Sequence, residues 1–497
     1  MALGYIGSIP SPMLQSIVDM RRRLDDLQRQ LGSGQKSTTY AGLGLDRGIS
    51  VSLRRQIEAS ASFDNTISVV GVRLSVAQTA LNGIADAAHT VKAAAQQANF
   101  SIDSTGQTVQ QKAAATTLDH LVALLNTRAG DRYLFSGQAV DQESVASADL
   151  ILNGDATHAG LKQLIDERRQ ADLGGAGVIG RLDLNRAGTT VSLDEDGVHT
   201  FGFKLSTAGS TLSNATLTGP AGSPAGLSLD FTGLPTDGQS ITIELTLPDG
   251  STRNVKLTAT DVAPPTAGQF MIGATPGDTA TNFEAALSDA LSNLAATELP
   301  AASAVAAADG FFADPPQRVD GPPFDTATAM IDGTSSNTVT WYTGEDGAAS
   351  ARTTASARID PTMTVNYGMR ANEEAFRLTI RDIAVFAAVT NSPTGPDSQN
   401  AYKALAARVA TSLNGVPGQQ KVTDIHAEIA SVEAAFVAAK SRHAQTSNML
   451  TDLLQRVEGA PQEEVGAQIL SLQTSLQASL QTTALLSRIS LVNYLSM

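Results

Sequence analysis

Cysteine is absent from all 497 residues, which excludes a disulfide framework and any thiolate metal site. Aromatics are only 4% of the chain, with one tryptophan, so little is available for a large aromatic core. Basic tracts are missing too: the net charge is −15 and Arg21-Arg22-Arg23 is the one cationic run. Nucleic acid binding requires phosphate neutralisation, so this balance argues against it. The two ends are almost without charge. Asp19 is the sole charged side chain in residues 1–20, and Arg488 the sole one from Val465 to Met497. Residues 141–370 hold 28 acidic and 12 basic side chains, a net of −16, which leaves +1 for everything else. The middle is acidic and solvated, whereas the flanks are neutral. The N-terminus also lacks a charged leader followed by a continuous apolar core, so export without a cleaved signal peptide is expected.

What is present is helical periodicity at both ends. Pro10-Ser11-Pro12 suits a helix start. Met13, Ile17, Met20, Leu24, Leu27 and Leu31 then step four, three, four, three, four, and Gly32-Ser33-Gly34 stops the run. Residues 35–48 form a glycine-punctuated connector without the spacing of a phosphate loop. A long helix is expected over Ile49–Asn99, with the register Val70, Leu74, Ala77, Leu81, Ile84, Ala88, Val91, Ala95, Ala98. Fifty such residues span ~75 Å, too long to fold around a compact core of their own. A return helix over Gln107–Arg128 carries Leu118, Leu121 and Leu125, and Gly130–Gly137 reads as a short aromatic strand. Near the other end, helices resume at Ala371, turn at Asn391–Gly395 and continue over Ala401–Leu413. From Ile425 the seam runs through Ile429, Val432, Phe436, Ala439, Leu450, Leu453 and Val457, weakened at His443 and Thr446. Gly459-Ala460-Pro461 breaks it. A last run follows through Val465, Ile469, Leu472, Leu476, Leu480, Leu491 and Leu495. Its other positions are Gln, Ser, Thr and Asn. That pattern is no membrane span, and it suits burial in a close-packed assembly.

The middle reads differently. Thr200–Leu205 and Ser240–Leu247 alternate, Pro248-Asp249-Gly250 turns, and Asn254–Thr258 returns as a hairpin. A second β cluster is expected at Thr338–Tyr342, Thr353–Ile359 and Thr362–Tyr367, with a helix over Asn282–Ala296 before it. Few of the flanking core stripes are expected to depend on this segment, so excising 146–368 is expected to leave the helices folded.

Chemistry has little to stand on. The six histidines show no i, i+3 or i, i+4 pairing for a metal. Asp119-His120 reads as an exposed pair. There is no Gly-x-Ser-x-Gly elbow. Asp194–Gly197 and Glu345–Gly347 read as turn acids rather than calcium loops. No catalytic residue, metal ligand or cofactor is expected.

Leu31-Gly-Ser-Gly-Gln35, Ala41-Gly-Leu-Gly-Leu45 and Ser75-Val-Ala-Gln-Thr-Ala80 resemble the N-terminal region of bacterial flagellins. Arg132-Tyr-Leu-Phe-Ser-Gly137, Leu476–Leu480 and Arg488–Leu495 are closer to the hook–filament junction family, hook-associated protein 3. Where flagellins usually show Asp-Asp before the Ala-Gly-Leu stretch, Thr38, Thr39 and Tyr40 stand here. The resemblance covers roughly 1–140 and 371–497. It implies a mainly α fold, with paired long N- and C-terminal helices forming a coiled-coil-like rod and an inserted β-rich α/β domain. The segments are then 1–45 and 461–497 as assembly helices, 46–145 and 371–460 as halves of the rod, and 146–370 as the outward insert. The assembly interface is expected at Met13, Ile17, Met20, Leu24, Leu27, Leu31, Ile469, Leu472, Leu476, Leu480, Leu491 and Leu495. Implied partners are other copies in a ring, a neighbouring hook-associated protein, flagellin and an export chaperone, in an extracellular flagellum, with no nucleic acid and no membrane insertion. The rivals are flagellin itself and, from another class, a secreted adhesin or hydrolase using the insert.

Overall fold

The computed structural model describes residues 11–97, 100–392, 395 and 397–495, and side chains at the two ends from Gln15 to Leu486 and at Arg488. In chain order the elements are α1 (Ser11–Ser33), α2 (Arg47–Ala95), α3 (Val109–Leu125), β1 (Arg128–Ala129), β2 (Arg132–Tyr133), α4 (Ala148–Asn153) and α5 (Leu161–Leu173). Seven strands follow: β3 (Leu182–Ala187), β4 (Thr190–Glu195), β5 (Lys204–Ser210), β6 (Ala215–Gly222), β7 (Ala225–Phe231), β8 (Ser240–Thr246) and β9 (Thr252–Thr260). Then come β10 (Gln269–Met271), α6 (Pro276–Phe311), β11 (Gln317–Val319), β12 (Met330–Asp332), β13 (Ser356–Asp360) and β14 (Met363–Asn366). The chain closes with α7 (Glu374–Ala388), α8 (Ser398–Leu413), α9 (Val422–Glu458) and α10 (Gln462–Leu495). Helix dominates and the strands lie in the middle. The chain divides into two compact units: one of residues up to 70, 357–365 and from 434 onward, and one of 71–356 with 366–433.

The second unit holds a sheet-bearing core. Strands β3-β4-β7-β6 form one antiparallel sheet, and β10-β9-β8-β5 another in which only β10 runs parallel to its neighbour. The β8–β9 hairpin closes at Gly250, whose φ of +78° suits glycine. One face of each sheet and one stripe of α6 share a single apolar cluster. Phe231, Phe270 and Phe283, from β7, β10 and α6, meet edge to face at 5.3–6.2 Å between centroids. The helix begins at a capping box of Thr275 and Asp278 with Pro276 in its first turn.

Several expectations fail here for physical reasons. The helix expected over Asn282–Ala296 runs on through Pro300 to Phe311. Proline would normally end it. Ala301, Ala302, Ala304, Ala307, Ala308 and Phe311 are buried, and that packing outweighs the lost hydrogen bond. Thr200–Leu205 is not a strand until Lys204, because Gly202 (φ +72°) turns the chain and buries Phe201 and Phe203 both. Thr338–Tyr342 forms only isolated bridges, Thr338 to Ala159 and Tyr342 to Val145, and Thr353 lies in a 3₁₀ turn before β13. The helices α4 and α5 were not foreseen.

The same unit contains α3, α7 and α8. A capping box at Thr108 and Gln111 starts α3, and the buried Gln111 amide donates to the carbonyls of Phe386 and Val389. Phe135 meets Phe376 edge-on at 5.5 Å. Contrary to the expected independence of the insert, α8 is tied to it: Arg408 donates to Asp249 and Glu298, both at 2.7 Å. Arg381 of α7 likewise pairs with Asp309 and Asp382. These arginines are 9% exposed.

In α2 the expected register holds at Val70, Leu74, Ala77, Leu81, Ile84, Val91 and Ala95, and misses at Ala88, which is half-buried beside a buried Ala87. In α9 the expected seam is buried at Ile425, Ile429, Val432, Phe436, Ala439, His443 and Leu450 and half-buried at Val457, while Thr446 and Leu453 face solvent and their neighbours Ser447 and Leu454 are half-buried. A helix of 3.6 residues per turn drifts ~20° per heptad against a 3.5 repeat, so burial at single positions passes to an adjoining residue while the rest of the stripe holds. Ala98, Pro393 and Thr394, in the expected register and turn, lie outside the described residues. Within Tyr40–Ala95 one window, of mean hydropathy 1.2, is long and apolar enough to cross a membrane by length and composition. Leu74, Leu81, Ile84 and Val91 of this helix are buried within the protein.

Candidate assembly interface

The terminal helices meet in the first unit. Helix α1 ends where Gly34 takes φ +69°. Gln35 then bridges to Gly459 in antiparallel fashion, and Ala460 N–H donates to Gly34 O at 2.9 Å. A Cβ on Gly459 would lie 2.3 Å from Gln455 O, so the approach requires glycine. Lys36 caps the end of α9: its backbone N–H donates to Glu458 O at 2.7 Å, and its ammonium to Val457 O at 2.9 Å. From this junction α1 and α10 run side by side in opposite senses.

Beneath the junction lies Glu458, 8% exposed. Its carboxylate accepts from Ser50 and from Arg54, whose Nε and Nη2 stand 3.0 and 2.6 Å away. The Arg54 hydrogen bonds, and then Ser50, hold the Glu458 carboxyl below its ordinary range despite burial. Bidentate pairing of this kind fixes geometry as well as charge.

The apolar contact is small. Leu27, Val465 and Ile469 are buried together, with Leu24, Ala460 and Leu472 against them. Of the expected interface residues the structure thus brings together Leu24, Leu27, Ile469 and Leu472. Ile17 is buried, while Met20 and Leu476 are half-buried. Leu31 and Leu480 are exposed, at 41% and 42%. The side chains of Met13, Leu491 and Leu495 lie outside the described residues. Sequence reasoning missed the clasp of Lys36, Ser50, Arg54 and Glu458. The glycine break marked its place, but no local signal pairs residues about 400 positions apart.

Beyond that contact, α10 stays apolar and exposed at Leu470, Leu480, Leu485 and Leu486, at 42–67%. At 100° per residue these leucines point to several sides, so one partner helix covers only part of the surface. Of the turn acids, Glu345 is engaged by Arg370, whose Nη2 lies 2.9 Å away.

Residues 9–140 match the bacterial flagellin N-terminal helical region. No curated protein matches the chain. The match supports the bacterial flagellin superfamily, and with it a structural role in the extracellular flagellum through self-assembly.

Proposed function

We propose that this protein is a structural subunit of the bacterial flagellum at the junction of hook and filament, assembled through its terminal helices into a short ring. The carrying observation is α10, uncharged from Val465 to Met497 save Arg488, with leucines exposed on several sides after α1 has packed on one. An uncharged helix that exposes several leucines suits a surface that other subunits cover. Residues 1–45 and 461–497 then form the assembly layer, with contacts through Met13, Ile17, Met20, Leu24, Leu27, Leu31, Ile469, Leu472, Leu476, Leu480, Leu491 and Leu495. Segments 46–145 and 371–460 form a coiled-coil-like rod, and 146–370 faces outward. Neighbours are a second hook-associated protein and flagellin, and a chaperone covers the terminal helices before export. The resemblance of Arg132–Gly137 to the junction family supports the junction reading.

The flagellin N-terminal match supports a filament subunit equally, so filament flagellin is the second reading. Quantitative mass spectrometry of purified flagella separates the two. A junction protein is present in a few copies per filament, and its deletion leaves hooks without filaments while flagellin escapes into the medium. Thousands of copies per filament overturn the junction assignment.

A further inference from the structure

The loop from Asp196 to Phe203, in the sheet-bearing unit, is held by a knot of charges. His199 sits at its centre with 1% of its side chain exposed. Its Nδ1 accepts from Phe201 N–H at 3.2 Å and faces the Lys204 ammonium at 3.5 Å. Its Nε2 lies 2.7 Å from Asp196 Oδ1 and 2.9 Å from Arg181 Nη2. Since Nδ1 must accept from the amide, the ring's one proton belongs on Nε2, donated to Asp196.

Every neighbour of the ring is itself committed. Arg181, in a left-handed backbone conformation with φ +69°, donates to the carbonyls of Ala171 and Asp325 and pairs with Asp196. Lys204 is paired with Glu195, which also accepts from Leu205 N–H. From α5, Asp172 accepts from Gly202 N–H at 2.9 Å, and Arg168 donates to Thr200 O and to Asp172. A left-handed conformation at a non-glycine residue persists only where the surroundings enforce it. These bonds bury Phe201 and Phe203, both 0% exposed, in two separate apolar clusters.

We propose that this loop is an acid-released latch with His199 as its pin. A second proton on the ring would occupy Nδ1. It would displace the Phe201 amide from its acceptor and set a third cation between Arg181 and Lys204. Asp196 alone opposes that, and it is already shared with Arg181. Burial first, and then the Lys204 and Arg181 charges, hold the imidazole below its ordinary value of 6.5 in spite of Asp196. The released loop therefore binds the proton more readily than the latched one. The latch is fully closed above the usual imidazole range and loosens as pH falls below it, exposing two phenylalanines.

Hydrogen–deuterium exchange on the full chain between pH 5 and 8, corrected for intrinsic rates, tests this. Protection of amides 196–203 is expected to fall by up to about tenfold per pH unit below pH ~6, one linked proton's worth, while the β8–β9 amides hold. His199→Asn keeps an acceptor near Nδ1 and cannot titrate, so its loop should show no such slope. An unchanged slope in that variant, or none in the wild type, overturns the proposal. Should the variant not fold, the wild-type ring's nitrogen chemical shifts decide. A neutral ring protonated at Nε2 well below pH 6.5 supports the latch, and titration alongside a free histidine peptide refutes it.

Discussion

The two units differ in how they satisfy their apolar surface. The sheet-bearing unit buries Phe231, Phe270, Phe283, Leu287 and Leu291 in one cluster fed by two sheets and a 36-residue helix. It is also the acidic part of the chain, and its buried arginines each find carboxylates. Among the described residues, the contact between α1 and α10 buries one small cluster of Leu27, Val465 and Ile469, while α10 leaves leucines exposed on several sides. One region is finished by its own chain. The other leaves leucines of α10 exposed, and under the proposed function neighbouring subunits would cover them. Charge follows part of the division: the sheet-bearing unit is acidic, whereas α10 from Val465 carries amides and hydroxyls with Arg488 as its one charge.

Four perturbations test this contrast, ordered by expected effect on the folded monomer. Excising 146–368 and joining the ends should abolish cooperative folding, because α6, which packs on α7 and α8, would be lost, and Arg408 would lose Asp249 and Glu298. Uncovering each fully buried apolar side chain costs about 1.5–3 kcal/mol, and several would be uncovered at once. Retention of the native helical circular dichroism signal in the shortened chain would show that the insert is separable after all.

Ile469→Ala should come next, at about 2–3 kcal/mol, near the low end for a large-to-small change because the contact is small and partly open. The loss should be local. Brief proteolysis would cut α1 and α10 faster, leaving a core from near Leu45 to near Gly459. Cleavage rates unchanged from wild type would mean that α1 and α10 do not depend on each other.

Glu458→Gln should cost about 1–2 kcal/mol, since Arg54 is 42% exposed and solvent screens part of the pair. The carboxyl lies below its ordinary value of 4.5 in the native state, so its contribution is present above that value and lost as pH falls through the native one. Acid titration of stability should therefore show a smaller loss in the glutamine variant than in the wild type. Equal losses would exclude Glu458 as the acid-sensitive group of the junction.

Leu480→Asp should change monomer stability by less than ~0.5 kcal/mol, because the side chain is already exposed. Leu476→Asp, at a half-buried position, should cost somewhat more. Both should still be exported, and both should fail to enter flagella, releasing flagellin into the medium with poor swimming. A variant that assembles normally would remove this face of α10 from the interface. The smallest effect on the fold is thus paired with the largest on assembly.

Much of this was legible beforehand. The stops at Gly34 and Gly459, the long α2, the β8–β9 hairpin and the charge division follow from periodicity, turn residues and composition, which act over a few neighbouring positions. Flagellin-like motifs near the N-terminus agree with the matched region. Other features depended on partners remote in the chain. Burial carried α6 past Pro300, Gly202 turned an apparent strand so that two phenylalanines face inward, and at single positions of α2 and α9 burial went to Ala87, Ser447 and Leu454 rather than to the heptad residue beside each. The Glu458 clasp and the Arg408 pairs join residues more than a hundred positions apart. The sequence by itself determined where helices start and stop, which stretch is acidic and which ends stay apolar, because those are local properties of side chains. Only the tertiary structure decided which stripes are covered and which carboxylate answers which arginine. Burial and ion pairing are set by distance in space, and a heptad or a turn signal carries no information about that.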